Sequence, residues 1–200
     1  MNIQSWERNM VVDPGEEKRE KIFSATLKLI AEHGFHGTAM SRVAKEAGVS
    51  AGIIYHYFEN KDELIIELYK SLKRELADIL IKDFDQTQPL SAQLRYICGS
   101  SFRYHLNHPR ESVFFQQFAT SPYYTTMIEK EMSCHFGIIS ETFERGMNEM
   151  IIKDLPGPVI GTLIVDVASS LAKKQEVGLV DLTDEVVDRI VDAIWEAIRN

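Results

Sequence analysis

Residues 34–64 read GFHGTAMSRVAKEAGVSAGIIYHYFENKDEL, and this stretch decides the fold. It predicts two short helices, 39–47 and 51–57, joined through Gly48, Val49 and Ser50. Glycine permits a sharp left-handed turn, valine fills the angle between the helices, and serine caps the next helix. This is the geometry of a helix-turn-helix, although a plain turn in a helical protein would look similar.

The second short helix carries side chains that suit a DNA groove. Ala51 and Gly52 are small enough for the backbone to approach base edges. One turn later, Tyr55, His56 and Tyr57 offer hydroxyl and imidazole groups at the height of the phosphates. These residue types in this order indicate DNA recognition more strongly than the turn does.

Packing is the alternative explanation for the rings and aliphatic residues of this helix. We expect it for Ile54 and Phe58. Tyr55 and His56 are more useful outside, because their rings have polar tips. Lys61 adds positive charge at the start of the following helix, where backbone N–H groups also favour a phosphate.

Helical patterns continue on both sides of this stretch. Upstream, residues 1–12 show no periodicity and are expected to be a mobile arm, and a helix begins near Asp13-Pro14 and stops at Gly34. Its apolar stripe is Ile22, Phe23, Leu27, Leu29 and Ile30. Downstream, Asn60 and Glu63 cap a long fourth helix that ends before 83–90. Further helices are expected at 91–106, 111–119, 123–148, 158–174 and 183–199.

The fold class follows from these elements. No alternating strand pattern or internal repeat interrupts them, so we expect an all-α protein of about nine helices. Residues 13–61 form the expected DNA-binding domain, and residues 62–200 form a helical domain for ligand binding and dimerisation.

At this point the sequence resembles the TetR family of transcriptional repressors. The matching positions are Gly34-Phe35, Thr38, Val43-Ala44, Ala47-Gly48-Val49-Ser50, Gly52, Ile54-Tyr55, Tyr57-Phe58 and Lys61-Asp62-Glu63-Leu64. The resemblance covers about residues 16–65. It implies a homodimer that binds a palindromic operator in double-stranded DNA and is released by a small molecule.

The resemblance also implies roles for individual residues. Thr38, Tyr55, Tyr57 and Lys61 would hold phosphates, and Ala51, Gly52 and Tyr55 would approach bases. The family often has a second hydroxyl residue after the threonine, where this chain has Ala39. Ser41 or Arg42 is expected to take over that phosphate contact.

Two apolar stripes near the end of the chain are candidates for a dimer interface. They consist of Ile160, Leu163, Ile164, Val167 and Leu171, and of Val187, Ile190, Val191, Ile194 and Ile198. Both could simply pack on their own chain. In TetR-like proteins the matching helices of two subunits form a four-helix interface, which is the use expected here. A dimer doubles the base contacts of one small domain, each of which supplies only about 1–3 kcal/mol of discrimination.

An aromatic and methionine-rich stretch lies between these regions and suggests a lipophilic ligand pocket. Its candidate lining residues are Tyr96, Phe102, Phe114, Phe115, Phe118, Tyr123, Met127, Phe136 and Phe143. Most of them could equally be ordinary core. The chemical identity of the effector does not follow from the pattern.

Charge, motifs and cysteines limit the functions and the location that the sequence allows. The net charge of −8 falls outside residues 1–61, which hold eight Lys and Arg against eight Asp and Glu. No catalytic or phosphate-binding motif and no paired metal spacing occur, so we expect no enzyme, cofactor or metal. Cys98 and Cys134 are expected to be reduced, buried thiols. Without a secretory signal or a membrane-spanning run, the expected location is the cytoplasm, with no membrane partner.

One rival interpretation keeps DNA binding and drops the effector. The C-terminal domain would then bind another protein. A solvent-reachable apolar cavity would favour the ligand, whereas a packed core with an exposed apolar patch would favour the protein partner.

Overall fold

The structure, a computed structural model, describes residues 14–125, 128, 130, 131 and 134–200. The helices whose bounds it defines are α1 (Pro14–Gly37), α2 (Met40–Ala47), α3 (Ala51–Tyr57), α4 (Lys61–Ile81), α5 (Leu90–Asn107), α6 (Pro109–Ala119), α7 (Gly137–Asn148), α8 (Gly157–Gly161, continued by Thr162–Asp166 and Val167–Glu176) and α9 (Asp184–Ile198). These nine helices confirm the all-α prediction. The only strand-like pairing in the described residues is a single bridge.

The chain divides into two compact units, residues 1–65 and 66–200, named here the head and the body. The division falls four residues beyond the boundary expected from the sequence. The first turn of α4, with Leu64 and Ile65 buried, belongs to the head.

The core of the head is formed by the apolar stripe of α1 and by residues of α2 and α3. All five predicted stripe residues of α1 are buried, and the rings of Phe23 and Phe58 lie 5.5 Å apart. At Gly34 the backbone leaves the helical region, with φ of 68° and ψ of 176°, before a last turn ends at Gly37. Only glycine adopts this conformation readily, so the predicted stop at Gly34 is confirmed.

Local capping fixes the boundaries of the short helices. Gly48 ends α2 in the left-handed conformation, with φ of 66°. The Ser50 hydroxyl accepts the N–H of Ile53 at 3.4 Å and begins α3. The Asn60 side chain accepts the N–H of Glu63 at 2.9 Å and begins α4. Each of these signals was visible in the sequence.

In the body, α5 contacts α7, α8 and α9. On the side towards α9, Arg95 pairs with Asp192 and Arg103 pairs with Asp188. Gly99 lies between the two arginines, where an added Cβ would be 3.4 Å from Val191 Cγ1 and 2.9 Å from Arg103 Nη1. The two ion pairs and the glycine therefore fix how closely α5 and α9 approach.

The end of the chain is tied to the segment that follows α7. Ile152 and Arg199 form the antiparallel bridge, and the Asn200 N–H donates to Ile151 O at 3.1 Å. The Asn200 side-chain amide donates to Met150 O at 2.9 Å and to Ile152 O at 3.0 Å. These bonds hold the C-terminus against the body.

The region expected to be one helix over 123–148 differs in the structure. A 3₁₀ turn, Cys134–Phe136, precedes α7, which begins at Gly137. A 3₁₀ turn winds three residues per turn, so the helical register of α7 is not continued through Cys134–Phe136. A similar irregularity occurs in α8, where Thr162–Asp166 form a π turn between two α-helical segments. Hydrophobic spacing alone detects neither feature.

Candidate functional site

One face of α3 points to solvent and carries the residues expected to meet DNA. Tyr55 is 55% exposed, and Ala51, Gly52 and His56 are also exposed. These four positions lie on one side of the helix, because residues three and four apart are neighbours on its surface: Ala51 and Tyr55 are four apart, as are Gly52 and His56. On the opposite side, Ile54 and Phe58 are buried, which confirms that they are packing residues.

Tyr57 lies between these two faces. Its side chain is half-buried, and its ring is in edge contact with the ring of His56 at 5.4 Å between centroids. Packing therefore holds both rings in place, while the imidazole of His56 remains exposed.

Gly52 has no structural reason to be glycine. It lies in the first turn of α3, and an added Cβ would meet only Ser50 Oγ at 3.9 Å, an ordinary contact. Glycine inside a helix is about 0.5–1 kcal/mol less favourable than alanine. The contacts within the head therefore do not require glycine at this position.

Thr38, which was expected to hold a phosphate, has a buried side chain. Its side chain is 2% exposed, and its hydroxyl donates to Gly34 O at 2.9 Å. The threonine thus stabilises the turn after α1, and its hydroxyl is not directed to solvent where a phosphate would lie. Both expected substitutes, Ser41 and Arg42, are exposed on α2, and Arg42 Nη1 donates to Gly37 O at 3.0 Å.

Lys61 begins α4 and is half-buried. Its ammonium donates to the carbonyl of Phe35, 26 residues earlier. An ammonium group has three donors, so this bond leaves capacity for a phosphate. The lysine therefore ties the start of α4 to the end of α1 in addition to carrying charge.

The body contains a cavity of about 440 Å³, named here the larger cavity. Its lining includes Lys73, Leu76, Leu80, Ser101, Phe136, Ile139, Phe143, Met147, Ile160, Gly161, Ile164 and Val165. A second space of about 230 Å³, the smaller cavity, is lined by residues that include Tyr69, His105, Phe115 and Tyr124. Lys73, Leu76 and Val165 line both, so the two cavities are adjacent.

Three of the aromatic residues proposed from the sequence line these cavities: Phe115, Phe136 and Phe143. The structure places Phe102, Phe114 and Phe118 in the packed core instead, with no exposed area. Their rings are surrounded by other side chains of the body, which a count of aromatic residues does not reveal.

The remaining candidates occupy intermediate positions. Tyr96 packs beside Phe84 at 6.0 Å between centroids, and Tyr123 stacks on Phe118 at 6.3 Å. Met127 lies outside the described residues. Lys73 also lines both cavities and was not among the predicted residues, because it has no motif around it and is marked only by its position one turn after Tyr69.

His105 is buried beside the smaller cavity. Its Nδ1 lies 3.0 Å from Ser112 Oγ, and the Ser112 hydroxyl has backbone carbonyl acceptors at 2.9 Å, including that of His105 itself. Burial, and secondarily the charge of Lys73, lowers the pKa of His105 to about 4. The imidazole is therefore neutral at physiological pH.

The described residues give little support to a reactive cysteine or to a metal site. Burial raises the pKa of the Cys98 thiol to about 12, which removes its nucleophilic form. The side chain of Cys134 lies outside the described part. Where side chains are described, no three His, Cys, Asp or Glu residues cluster as metal ligands would.

An open apolar groove of about 550 Å³ runs between α8 and α9 and is named here the α8–α9 groove. It is lined by Leu163, Val167, Val186, Arg189, Ile190, Ala193, Ile194 and Ala197. Four of the predicted interface residues are in this set: Leu163, Val167, Ile190 and Ile194. The alanines and Val186 extend the surface along α9 beyond the predicted stripe.

The other predicted interface residues face inward. Ile160, Ile164, Val187, Val191 and Ile198 are at most 5% exposed and belong to the core of their own chain. Leu171 is half-buried and packs against the same core. Both helices have their inner faces against α5. Each stripe therefore contains residues that pack in the core and residues that line the groove.

The helices of the described ranges include none with the length and apolar character required to span a membrane.

Two family models match the chain. The model described as bacterial regulatory proteins, tetR family, matches residues 22–68. The model described as the tetracyclin repressor-like C-terminal domain matches residues 89–199, more than half of the chain. The first covers α2 and α3 completely, and the second covers the cavities and the groove except for their residues on α4.

Individual relatives agree with these matches. An HTH-type transcriptional regulator of Haemophilus influenzae is 28% identical over 180 residues, 90% of this chain and 95% of that protein. A TetR family transcription regulator from Marinobacter aquaeolei has a similar fold, with a TM-score of 0.85 and 24% identity over 92% of this chain and 97% of the other. A TetR-family regulator from Haemophilus influenzae gives a TM-score of 0.75 and 26% identity over 92% and 98% of the two chains.

Proposed function

Because this chain belongs to the tetR family of bacterial regulatory proteins and is a DNA-binding transcriptional regulator, we propose that it is a repressor that binds a palindromic operator as a homodimer and leaves it when a small lipophilic molecule binds in the body. The observation that carries the DNA-binding part is the outward face of α3. The α8–α9 groove and the larger cavity support the dimer and the effector.

The face of α3 suits a major groove. Gly52 and Ala51 allow close approach, and the exposed Tyr55 and His56 follow one turn later. Tyr57, Lys61, Ser41 and Arg42 are proposed phosphate contacts. Thr38 contributes indirectly, by holding the turn that precedes α2.

The α8–α9 groove is the proposed contact with a second copy. It is apolar, open to solvent and bordered by Ala193 and Ala197, whose small side chains permit close helix approach. Pairing the two helices of each copy would make a four-helix interface. The two α3 helices would then read half-sites about 34–36 Å apart.

The larger cavity supports an effector. Its volume of about 440 Å³ lies within the range of about 300–1,000 Å³ typical of small-molecule sites, and most of its lining is apolar. The FadR regulator from Bacillus subtilis, whose structure in complex with stearoyl-CoA has a TM-score of 0.66 and 19% identity to this chain, shares the fold. A cavity of this kind favours release by a ligand over the rival in which the body binds another protein.

Selection of bound sequences from random double-stranded DNA tests the function. The expected product is a palindrome whose half-sites lie one helical turn apart. Tyr55→Ala, which removes an exposed side chain from the head, should abolish the enrichment while leaving the protein folded. A non-palindromic product, or the same enrichment with Tyr55→Ala, would contradict the proposal.

A further inference from the structure

We propose that the effector is an uncharged phenol with an apolar substituent, whose hydroxyl donates a hydrogen bond to Nε2 of His105 in the smaller cavity. This inference rests on the proposed function and adds the chemical class of the ligand. It follows from the hydrogen bonds that fix which nitrogen of this buried ring carries the proton.

The carbonyl of His105 lies in the last turn of α5 and lacks its usual helical donor. The residue four positions later is Pro109, which has no backbone N–H. The Ser112 hydroxyl donates to this carbonyl at 2.9 Å, and it also lies 2.9 Å from the carbonyl of His108. A buried carbonyl requires a donor, so the single hydroxyl proton of the serine is directed to the backbone.

Nδ1 of His105 is therefore the donor in its contact with Ser112. The two atoms lie 3.0 Å apart, and because the serine proton is engaged elsewhere, Nδ1–H donates to Ser112 Oγ. Burial keeps the ring uncharged by lowering the pKa of His105 to about 4. A neutral imidazole has one N–H, so Nε2 carries a lone pair and can only accept.

Nε2 of His105 faces the smaller cavity. His105 lines this cavity, whereas Ser112, on the Nδ1 side of the ring, does not. Nε2 has no hydrogen-bond partner in the described part of the chain. It is also not enclosed in the way of Tyr104 Oη and Ser169 Oγ, the buried side-chain atoms of the described residues that lack a partner. Nε2 therefore reaches the open space of the cavity and can accept a proton from a molecule there.

The walls of the smaller cavity suit an aromatic ring. Tyr69, Phe115 and Tyr124 contribute rings to these walls, and the volume is about 230 Å³. A cavity of about 150 Å³ is large enough for benzene, so a ring with one hydroxyl has sufficient room. An apolar substituent on that ring can extend into the adjacent larger cavity, which shares Leu76 and Val165 with the smaller one.

The donor that suits Nε2 of His105 is uncharged. Burial disfavours a positive charge on the imidazole, and an ammonium donor at the same place would be disfavoured for the same reason. A carboxylate has no proton to donate at neutral pH. A phenol keeps its proton up to about pH 10, so it combines an aromatic ring with an uncharged donor.

Isothermal titration calorimetry with three probes that share a butyl chain tests the assignment. The probes are 4-butylphenol, 4-butylanisole and 4-butylbenzylamine; the ether has no proton to donate, and the amine is charged at neutral pH. For the full-length wild-type protein, the phenol is expected to bind about tenfold more tightly than either of the others, since only the phenol gives Nε2 an uncharged donor. Equal binding by the ether or the amine, or no binding of the phenol, would overturn the proposal.

Variants at two neighbouring histidines separate the hydrogen bond from the fit of the ring. His105→Leu removes Nε2 and should lower the affinity for 4-butylphenol to that for 4-butylanisole. It should fold, because the Ser112 hydroxyl still donates to the backbone carbonyl. His108→Leu is the control, because His108 lines neither cavity, and it should keep the preference for the phenol. An undiminished preference in His105→Leu would overturn the assignment of the histidine.

Nuclear magnetic resonance of the ¹⁵N-labelled wild-type protein tests the same bond without a variant. Correlation spectra of histidine side chains distinguish a protonated ring nitrogen from an unprotonated one. His105 is expected to show a protonated Nδ1 and an unprotonated Nε2, and the Nε2 signal should move with 4-butylphenol but not with 4-butylanisole. A proton on Nε2 in the free protein, or an unchanged Nε2 signal with the phenol bound, would overturn the proposal even if His105→Leu does not fold.

Ser112 is a positioning residue in this scheme, and the same spectra test its role. Ser112→Ala removes the acceptor of Nδ1–H and should populate the tautomer of His105 with the proton on Nε2. Ser112→Thr keeps the hydroxyl and should retain the wild-type tautomer. An unchanged tautomer in Ser112→Ala would overturn the part of the proposal that assigns the proton to the serine.

Operator binding in the same mixtures distinguishes the ligand class from the proposed function. If 4-butylphenol binds at His105 and the operator stays bound, release by this ligand fails and the ligand class stands. If 4-butylanisole releases the operator as well as 4-butylphenol does, the ligand class fails and release by a lipophilic molecule stands.

Discussion

The outward face of α3 and the α8–α9 groove are both open to solvent, but their chemistry is opposite. On α3, small residues stand beside the polar-tipped rings of Tyr55 and His56. In the groove, Leu163, Val167 and Ile190 present aliphatic carbon. Interfaces with DNA are polar and wet, whereas the centres of homodimer interfaces are apolar and dry. This difference supports the proposal that the face of α3 meets DNA and that the groove meets a second copy of the chain.

The largest expected effect comes from a charge placed in the groove. Val167→Glu puts a carboxylate on a residue that is 37% exposed in the single chain and would be buried in the dimer. An uncompensated buried charge costs several kcal/mol, so the dimer dissociation constant should rise at least a hundredfold. Analytical ultracentrifugation measures this change.

Val177→Glu is the matched control, because Val177 is 62% exposed and does not line the groove. It should remain dimeric at micromolar concentration and keep its affinity for the operator. If both variants dissociate equally, or neither does, the α8–α9 groove is not the dimer interface.

A smaller effect is expected at the face of α3. Tyr55→Phe removes one hydroxyl and should weaken operator binding about tenfold, because a single lost hydrogen bond at a DNA interface is worth about 1–3 kcal/mol. Fluorescence anisotropy with labelled operator measures it. Tyr96→Phe, on α5, is the control and should bind normally; an equal loss there would point to damage to the fold.

Lys61 tests how much of the affinity is electrostatic. Lys61→Ala should reduce the salt dependence of operator binding by about one unit of slope, the amount for one phosphate contact. It also removes the bond to Phe35, so thermal unfolding should be measured in parallel. Lys18→Ala, at an exposed position on α1, should leave the slope unchanged. An unchanged slope in Lys61→Ala would make the lysine purely structural.

The smallest effect concerns Gly52. Gly52→Ala should stabilise the head by about 0.5–1 kcal/mol while weakening operator binding, since the added methyl group makes only an ordinary contact with Ser50 Oγ at 3.9 Å in the free protein. Gly146→Ala is the contrast in the body, because its Cβ would lie 2.7 Å from Leu94 Cδ1 and should lower stability. Chemical denaturation measures both. Tighter operator binding by Gly52→Ala would remove the proposed reason for this glycine.

Sequence reasoning worked well where structure is determined locally. The stop at Gly34, the left-handed Gly48 and the cap at Ser50 depend on residues within one turn of each other. It also distinguished the buried Ile54 from the exposed Tyr55. The hydrogen bond from the Thr38 hydroxyl to Gly34 O was not predicted, because the acceptor comes within reach only once the turn has formed.

The body was harder to predict because its features depend on segments that are distant in the chain. Lys73 becomes notable only when Phe115 and Phe136 fold around it. The stripe on α8 combines core residues, such as Ile164, with groove residues, such as Leu163. Both types are aliphatic. The spacing of apolar residues therefore shows that the helix is amphipathic, but it does not show which residues pack in the core and which line the groove.

The π turn of α8 lies between the larger cavity and the α8–α9 groove. Ile160, Ile164 and Val165 form part of the wall of the larger cavity, and Leu163 and Val167 form part of the floor of the α8–α9 groove. The same stretch of α8 therefore borders both the larger cavity and the α8–α9 groove. Under the proposed function, a molecule bound in the cavity would displace a helix that also shapes the dimer interface, and α8 alone would carry the signal between the two.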